Sequence, residues 1–161
     1  MFWENIEMSR VVPGKPTSIL LVLSLVFLMS APVVLAGCDD NSPGGAVGKL
    51  LNAWQSADWD AYKQAVVPAE RNLPKDLDEL AKQKFKQVQV KLGGVKMNTA
   101  YDEKDRNKAT VVLDGGKITI KAKILGEDKT EARDVIKMPE EERTFETLKV
   151  NGVWYVNIKL G

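Results

Sequence analysis

The chain has 161 residues, with 23 basic and 22 acidic side chains, a formal net charge of +1, one cysteine and no histidine. That balance leaves no basic footprint for nucleic acid. The lack of histidine removes the commonest general base, the commonest metal ligand and every Ser-His-Asp or Cys-His arrangement, and a lone cysteine can close no disulfide within the chain.

The first seven residues carry Glu4 and Glu7, whereas the n-region of an export signal is usually net positive. A start at Met8 would drop both acids and keep Arg10 and Lys15, so Met8 is the expected start unless the extra residues are tolerated. Ile19 to Ala36 then runs without a charge, with a greasy centre from Leu20 to Met29 interrupted by Ser24. Its length approaches the about 20 residues that span a bilayer. Three details favour a cleaved signal instead: basic residues precede it, small residues end it, and Asp39 and Asp40 follow it in place of a basic stop-transfer flank.

The run closes on Leu35-Ala36-Gly37-Cys38, which resembles a bacterial lipobox. The resemblance implies a leader over 1–37 and a mature chain beginning at Cys38. It also implies a diacylglyceryl group on the Cys38 thiol and often a third chain on the new amine. One acyl chain anchors only marginally, at about 0.8 kcal/mol per buried CH2, and two or more hold stably. An ordinary secretory signal cut after Ala36 is a second reading, because Val34-Leu35-Ala36 also has small-residue spacing. Both readings export the protein, and only the first keeps it on a membrane. An incidental cysteine is the third. Asp39 and Asp40 resemble the inner-membrane retention signal of enteric lipoproteins, and they equally fit a solvated linker.

Residues 38–45, Cys38 and the polar run Asp39 to Gly45, read as the lipidation site and a tether of about 25 Å at roughly 3.5 Å per residue. Residues 46–161 read as one domain, long enough to bury a single core. Val47, Leu50, Leu51 and Trp54 recur at helical spacing and predict a helix over 46–56. Asp58 is placed to cap a second, short helix carrying Trp59, Tyr62 and Val66 and stopped by Pro68. Pro74 opens a third, whose stripe runs through Leu77, Leu80, Ala81, Phe85, Val88 and Leu92 to a stop at Gly93-Gly94. Val88-Gln89-Val90 also fits a strand, and the long stripe favours helix.

From Val95 the period becomes two. Val95, Met97, Thr99 and Tyr101 alternate, as do Ala109, Val111 and Leu113, then Ile118, Ile120, Ala122 and Ile124, and finally Trp154, Val156, Ile158 and Leu160. Asp114-Gly115-Gly116 and Asn151-Gly152 read as hairpin turns, the second joining Thr144–Val150 to the last strand. The charged stretch 126–143 reads as a long connection, a loop at the mouth of the fold. The expected fold is α+β: three N-terminal helices on a curved antiparallel sheet of about five strands.

The paired first helices in Leu50-Leu51-Asn52-Ala53-Trp54-Gln55-Ser56-Ala57-Asp58-Trp59-Asp60-Ala61-Tyr62, Gly93-Gly94-Val95 before the sheet, and the hairpin Val150-Asn151-Gly152-Val153-Trp154-Tyr155-Val156 resemble the nuclear-transport-factor-two-like fold, also called cystatin-like. Small bacterial lipoproteins carrying such a domain share this layout, lipobox included. The resemblance covers about residues 46–160 and implies a cone of helices against a curved sheet, often with a pocket. That fold hosts isomerases, ligand carriers and inert assembly domains, so it does not give the function.

Trp54, Trp59, Tyr62, Phe85, Tyr101 and Trp154 are the candidate pocket lining, with plain core as the alternative. Asp58 reads as a helix cap rather than a catalytic acid. Lys117, Lys121, Lys123, Lys149 and Lys159 read as a solvated sheet face or a site for anionic lipid or polymer. Glu140-Glu141-Glu142 lacks the alternation of a calcium loop. No metal or cofactor is expected. The favoured function is a membrane-anchored envelope protein, held through lipidated Cys38, that binds an envelope protein or a small hydrophobic ligand. The alternative is a ketosteroid-isomerase-like enzyme using a cone carboxylate.

Overall fold

The computed structural model describes residues 41–124 and 127–160; the expected leader, Cys38 and the two acids after it lie outside the described residues. Helix α1 spans Pro43–Gln55, three residues earlier than its apolar spacing predicts. Pro43 suits the first turn because its missing N–H would go unpaired there. The Ser42 hydroxyl accepts from the Gly45 N–H at 2.9 Å and fixes the start. Residues 43–45, read above as the end of the tether, therefore belong to the helix.

A tight turn follows, in which Ala57 adopts a left-handed φ of 53°. Helix α2 covers Trp59–Ala65, and the Asp58 carboxylate caps it by accepting from the Ala61 N–H at 3.0 Å. After a short 3-10 turn at Pro68–Glu70, helix α3 spans Lys75–Lys86. It stops six residues short of the predicted end, because Val88–Leu92 is strand. Val88, Val90 and Leu92 alternate as well as they stripe, and pairing opposite Ala122, Ile120 and Ile118 decides between the two periods.

The described strands form a curled antiparallel sheet against which the helices pack. Strand β1 runs Val88–Tyr101 and β2 runs Lys108–Ile124. Gly93-Gly94 is thus not a helix stop, and Asp114-Gly115-Gly116 is not a hairpin turn. Both lie inside long strands, opposite each other. The pairing Gly93 with Lys117 is followed by Lys96 with Gly115, then Met97 with Leu113. Each strand gains one extra residue there, so the register is restored beyond the bend while the inward parity flips in both. Val88, Val90 and Leu92 point in before it, and Val95 and Met97 after it. On β2 the inward set changes from Ala109, Val111 and Leu113 to Ile118, Ile120 and Ala122. A Cβ on Gly116, at φ 98°, would lie 2.6 Å from Val95 Cα and 2.7 Å from the Gly94 carbonyl. Only glycine admits the two backbones at this bend. The true β1–β2 connection is Asp102–Asn107, where the Asp102 carboxylate accepts from the N–H groups of Lys104 and Asp105.

The stretch read as a loop at 126–143 is mostly structured. Strand β3, Glu127–Asp134, pairs with the far half of β2. A 3-10 turn, Val135–Lys137, buries Val135 completely, and a single turn of helix α4 covers Glu140–Arg143. The pattern hid β3 because it has no inward apolar row. Its charged residues instead blunt an open sheet edge. Strand β4, Thr144–Val150, pairs with the near half of β2. In the gap between β3 and β4, Arg143 donates to the Leu113 carbonyl at 3.0 Å.

Strand β5, Val153–Val156, follows the Asn151-Gly152 turn as expected, with φ values of 51° and 84°. It ends earlier than the alternation predicts. Ile158 and Leu160 pack against the core outside any strand, and the side chain of Ile124 lies outside the described residues. The open edge of β5 is covered by Val66-Val67, where the Val67 N–H donates to the Val156 carbonyl at 3.0 Å. The core lies between α1 and the sheet, with Val47, Leu50 and Leu51 against Val90, Val111 and Val156.

Candidate functional site

The six aromatic residues separate into distinct places. Trp59, Tyr62 and Phe85 cluster between α2 and α3, with ring centroids 4.8–5.7 Å apart. Tyr101 and Trp154 meet edge to face at 5.9 Å where β1 ends and β5 begins. Trp54 is half-buried on α1, against the core. The spacing of Trp59 and Tyr62 puts both on one face of the short α2, and Phe85 comes from the last turn of α3. The structure therefore brings together three of the six in one cluster and two in another.

The α2–α3 cluster carries a polar network around Asp78. The Trp59 indole Nε1 donates to Asp78 Oδ1 at 2.8 Å, and Lys63 Nζ donates to both Asp78 oxygens at 2.9 Å. These bonds, from Lys63 first and Trp59 next, hold the Asp78 carboxyl below the usual carboxylate range. Burial pushes the Tyr62 phenol up to about 12. Both groups are thus moved away from neutrality, the carboxyl toward permanent charge and the phenol toward permanent neutrality. Asp102 shifts downward too, through its two backbone donors.

The lysine row acquires its context from β3. Register places Asp134 opposite Lys117, Thr130 opposite Lys121 and Asp128 opposite Lys123. An acid of the neighbouring strand therefore lies opposite Lys117 and Lys123, and a threonine opposite Lys121. Glu142 accepts from Arg133 at 3.3 Å, so one of the three consecutive glutamates belongs to an ion pair joining α4 to β3. Among the described residues, no group of three or more acids, cysteines or histidines is placed to hold a metal ion.

Two residues escaped the sequence reading. Arg71 stacks on Tyr155, its guanidinium carbon 4.9 Å from the ring centroid, and donates to the Val66 and Gln64 carbonyls at 2.8 Å. It locks the end of α2 onto β5. Thr147 is buried and donates to the Ala109 carbonyl at 2.9 Å. Arg71 follows a proline turn and Thr147 sits in a plain strand, so neither carries a local signal.

The fold and these clusters define an α+β domain with helices on a curled antiparallel sheet. No protein-family model matches this chain, and no curated protein matches it.

Proposed function

We propose that this is a lipid-anchored bacterial envelope protein whose domain binds a ligand or a partner without catalysing a reaction. In this reading the domain is a cystatin-like cone of three N-terminal helices and five strands. The observation that carries the proposal is the junction: Leu35-Ala36-Gly37-Cys38 ends an apolar leader, and helix α1 begins only five residues after Cys38. A domain placed so close behind the cysteine fits a lipoprotein cut at that residue. The binding role is supported by the titratable groups of the aromatic cluster. General acid–base catalysis needs a pKa near the working pH, and Asp78 and Tyr62 are shifted away from it in opposite directions.

The test is metabolic labelling with a radioactive fatty acid. Wild-type protein should incorporate label and fractionate with membranes. Cys38→Ser should lose the label, with precursor accumulating or soluble protein released. Label retained by Cys38→Ser would contradict the lipoprotein reading.

A further inference from the structure

The Asn41 side chain, three residues after the proposed anchor, is tied into the domain. Its Nδ2 donates to the Gly152 carbonyl at 3.0 Å, in the turn between β4 and β5. Ser42 then caps α1. Between Cys38 and this tie the sequence has only Asp39 and Asp40, not the seven residues from Asp39 to Gly45. Three peptide units reach at most about 10 Å from Cys38 to Asn41 at roughly 3.5 Å per residue. A headgroup layer is about 5–8 Å thick on each side of the hydrocarbon. An acylated Cys38 at its inner boundary leaves the β4–β5 turn at the level of the headgroups or just above them.

The same end of the sheet carries the β1–β2 connection. Lys108 pairs with Leu148, and the Lys149 N–H donates to the Asn107 carbonyl at 2.8 Å, which sets loop 102–107 beside the turn. We propose that the domain is not freely tethered but lies with the Asn151-Gly152 turn and the 102–107 loop against the bilayer surface. The opposite ends of β1 and β2 are then held away from it. This rests on the lipid-anchor reading, and the occupant of this surface is the phospholipid headgroup layer. Tyr101, half exposed, and Val153, 43% exposed, lie at this end, an aromatic and an aliphatic residue suited to an interface. The loop mixes Asp102, Glu103 and Asp105 with Lys104 and Arg106. That balance gives no net attraction to anionic lipid, so the contact is imposed by the short spacer and does not depend on salt.

Lipidation consumes the only thiol, so an introduced cysteine is the sole labelling site in the processed protein. Full-length Val153→Cys, Lys104→Cys and Gln89→Cys would each be expressed, extracted from membranes, labelled with a nitroxide and reconstituted in phosphatidylethanolamine–phosphatidylglycerol vesicles. Gln89 is exposed near the start of β1, twelve residues from Tyr101, or about 40 Å of strand path at roughly 3.3 Å per residue. Collision with membrane-partitioned oxygen, relative to an aqueous nickel chelate, reads depth. The expected ratio is several-fold higher at 153 and 104 than at 89, and unchanged between low and high salt. Equal ratios at all three sites, or the highest at 89, overturn the orientation. Because 104 lies in an exposed loop, it tests the proposal even if the variant at 153 misfolds. Mass spectrometry of the N-terminal peptide separates the two readings. Acylated Cys38 with equal ratios removes the orientation alone, and unmodified Cys38 removes both.

Discussion

Ala57 is the one non-glycine residue described in the left-handed region outside a hairpin turn, at φ 53°. A Cβ in that region costs about 1–2 kcal/mol, partly offset by the extra freedom glycine has when unfolded. Ala57→Gly should therefore raise stability by about 0.5–1 kcal/mol in urea unfolding, and a loss would show that the turn is not strained. Trp154 is 7% exposed and packs in the core, with Lys149 above its ring at 5.8 Å. Trp154→Ala should cost about 3–5 kcal/mol, and a cost under about 1 kcal/mol would put the ring at the surface. Asp78 makes a pH prediction. Its carboxyl is held below 3.8 in the folded protein, so its contribution is complete above the unfolded value. It is lost as pH falls through the lower folded value. The stability gap between wild type and Asp78→Asn should be constant from pH 7 to about 5 and narrow below about 4. A gap that stays level to pH 3 would mean that the Lys63 and Trp59 bonds do not discriminate the charged form. Single residues were legible where chemistry is local, as with Asp58 at its helix start. Asp78 lies in the first turn of α3 and carries no local sign of its role, because Trp59 and Lys63 reach it from another helix.

The elements were legible where one period dominates. The first two helices and the Asn151-Gly152 hairpin needed only local spacing and turn chemistry. Errors fell where glycines carry two meanings. Gly93-Gly94 after an apolar stripe imitates a helix stop, and Asp114-Gly115-Gly116 between alternating runs imitates a hairpin. What separates a turn from a bulge is the partner opposite, which is Lys117 for Gly93, 24 residues away, and Lys96 for Gly115, 19 residues away. One signal was present all the same: the inward parity changes across both diglycines, as two bulged strands require. The bend makes its own prediction. Gly116→Ala would drive a Cβ into the backbone of Gly94 and Val95, whereas Gly94, at φ 60°, has nothing within 4 Å of its Cβ position. Gly94→Ala should cost about 1–2 kcal/mol from φ alone. Gly116→Ala should cost clearly more, about 3–4 kcal/mol, since backbone must move as well. Equal costs in denaturant unfolding would contradict close approach at the bend. Strand β3 was invisible for the opposite reason, having too little hydrophobic pattern to be read apart from a loop.

At the scale of the whole molecule, the broad architecture followed from order: apolar stripes at helical spacing, then alternating runs. The separation of the aromatic residues into two clusters did not, because a stripe records only which face is apolar and not what it meets. Under the proposed function, a leader over 1–37 is removed and helix α1 begins five residues after Cys38. The physical consequence of that proposal is a protein held close to a bilayer by two or more acyl chains, which would be effectively permanent attachment. The intact mass of the N-terminal peptide, taken from protein extracted from native membranes, tests this directly. The account predicts a peptide beginning at Cys38 and carrying a diacylglyceryl group, with or without a third acyl chain on its amine. A peptide beginning at Gly37 with a free thiol at Cys38, as an ordinary secretory cut after Ala36 would leave, would contradict it.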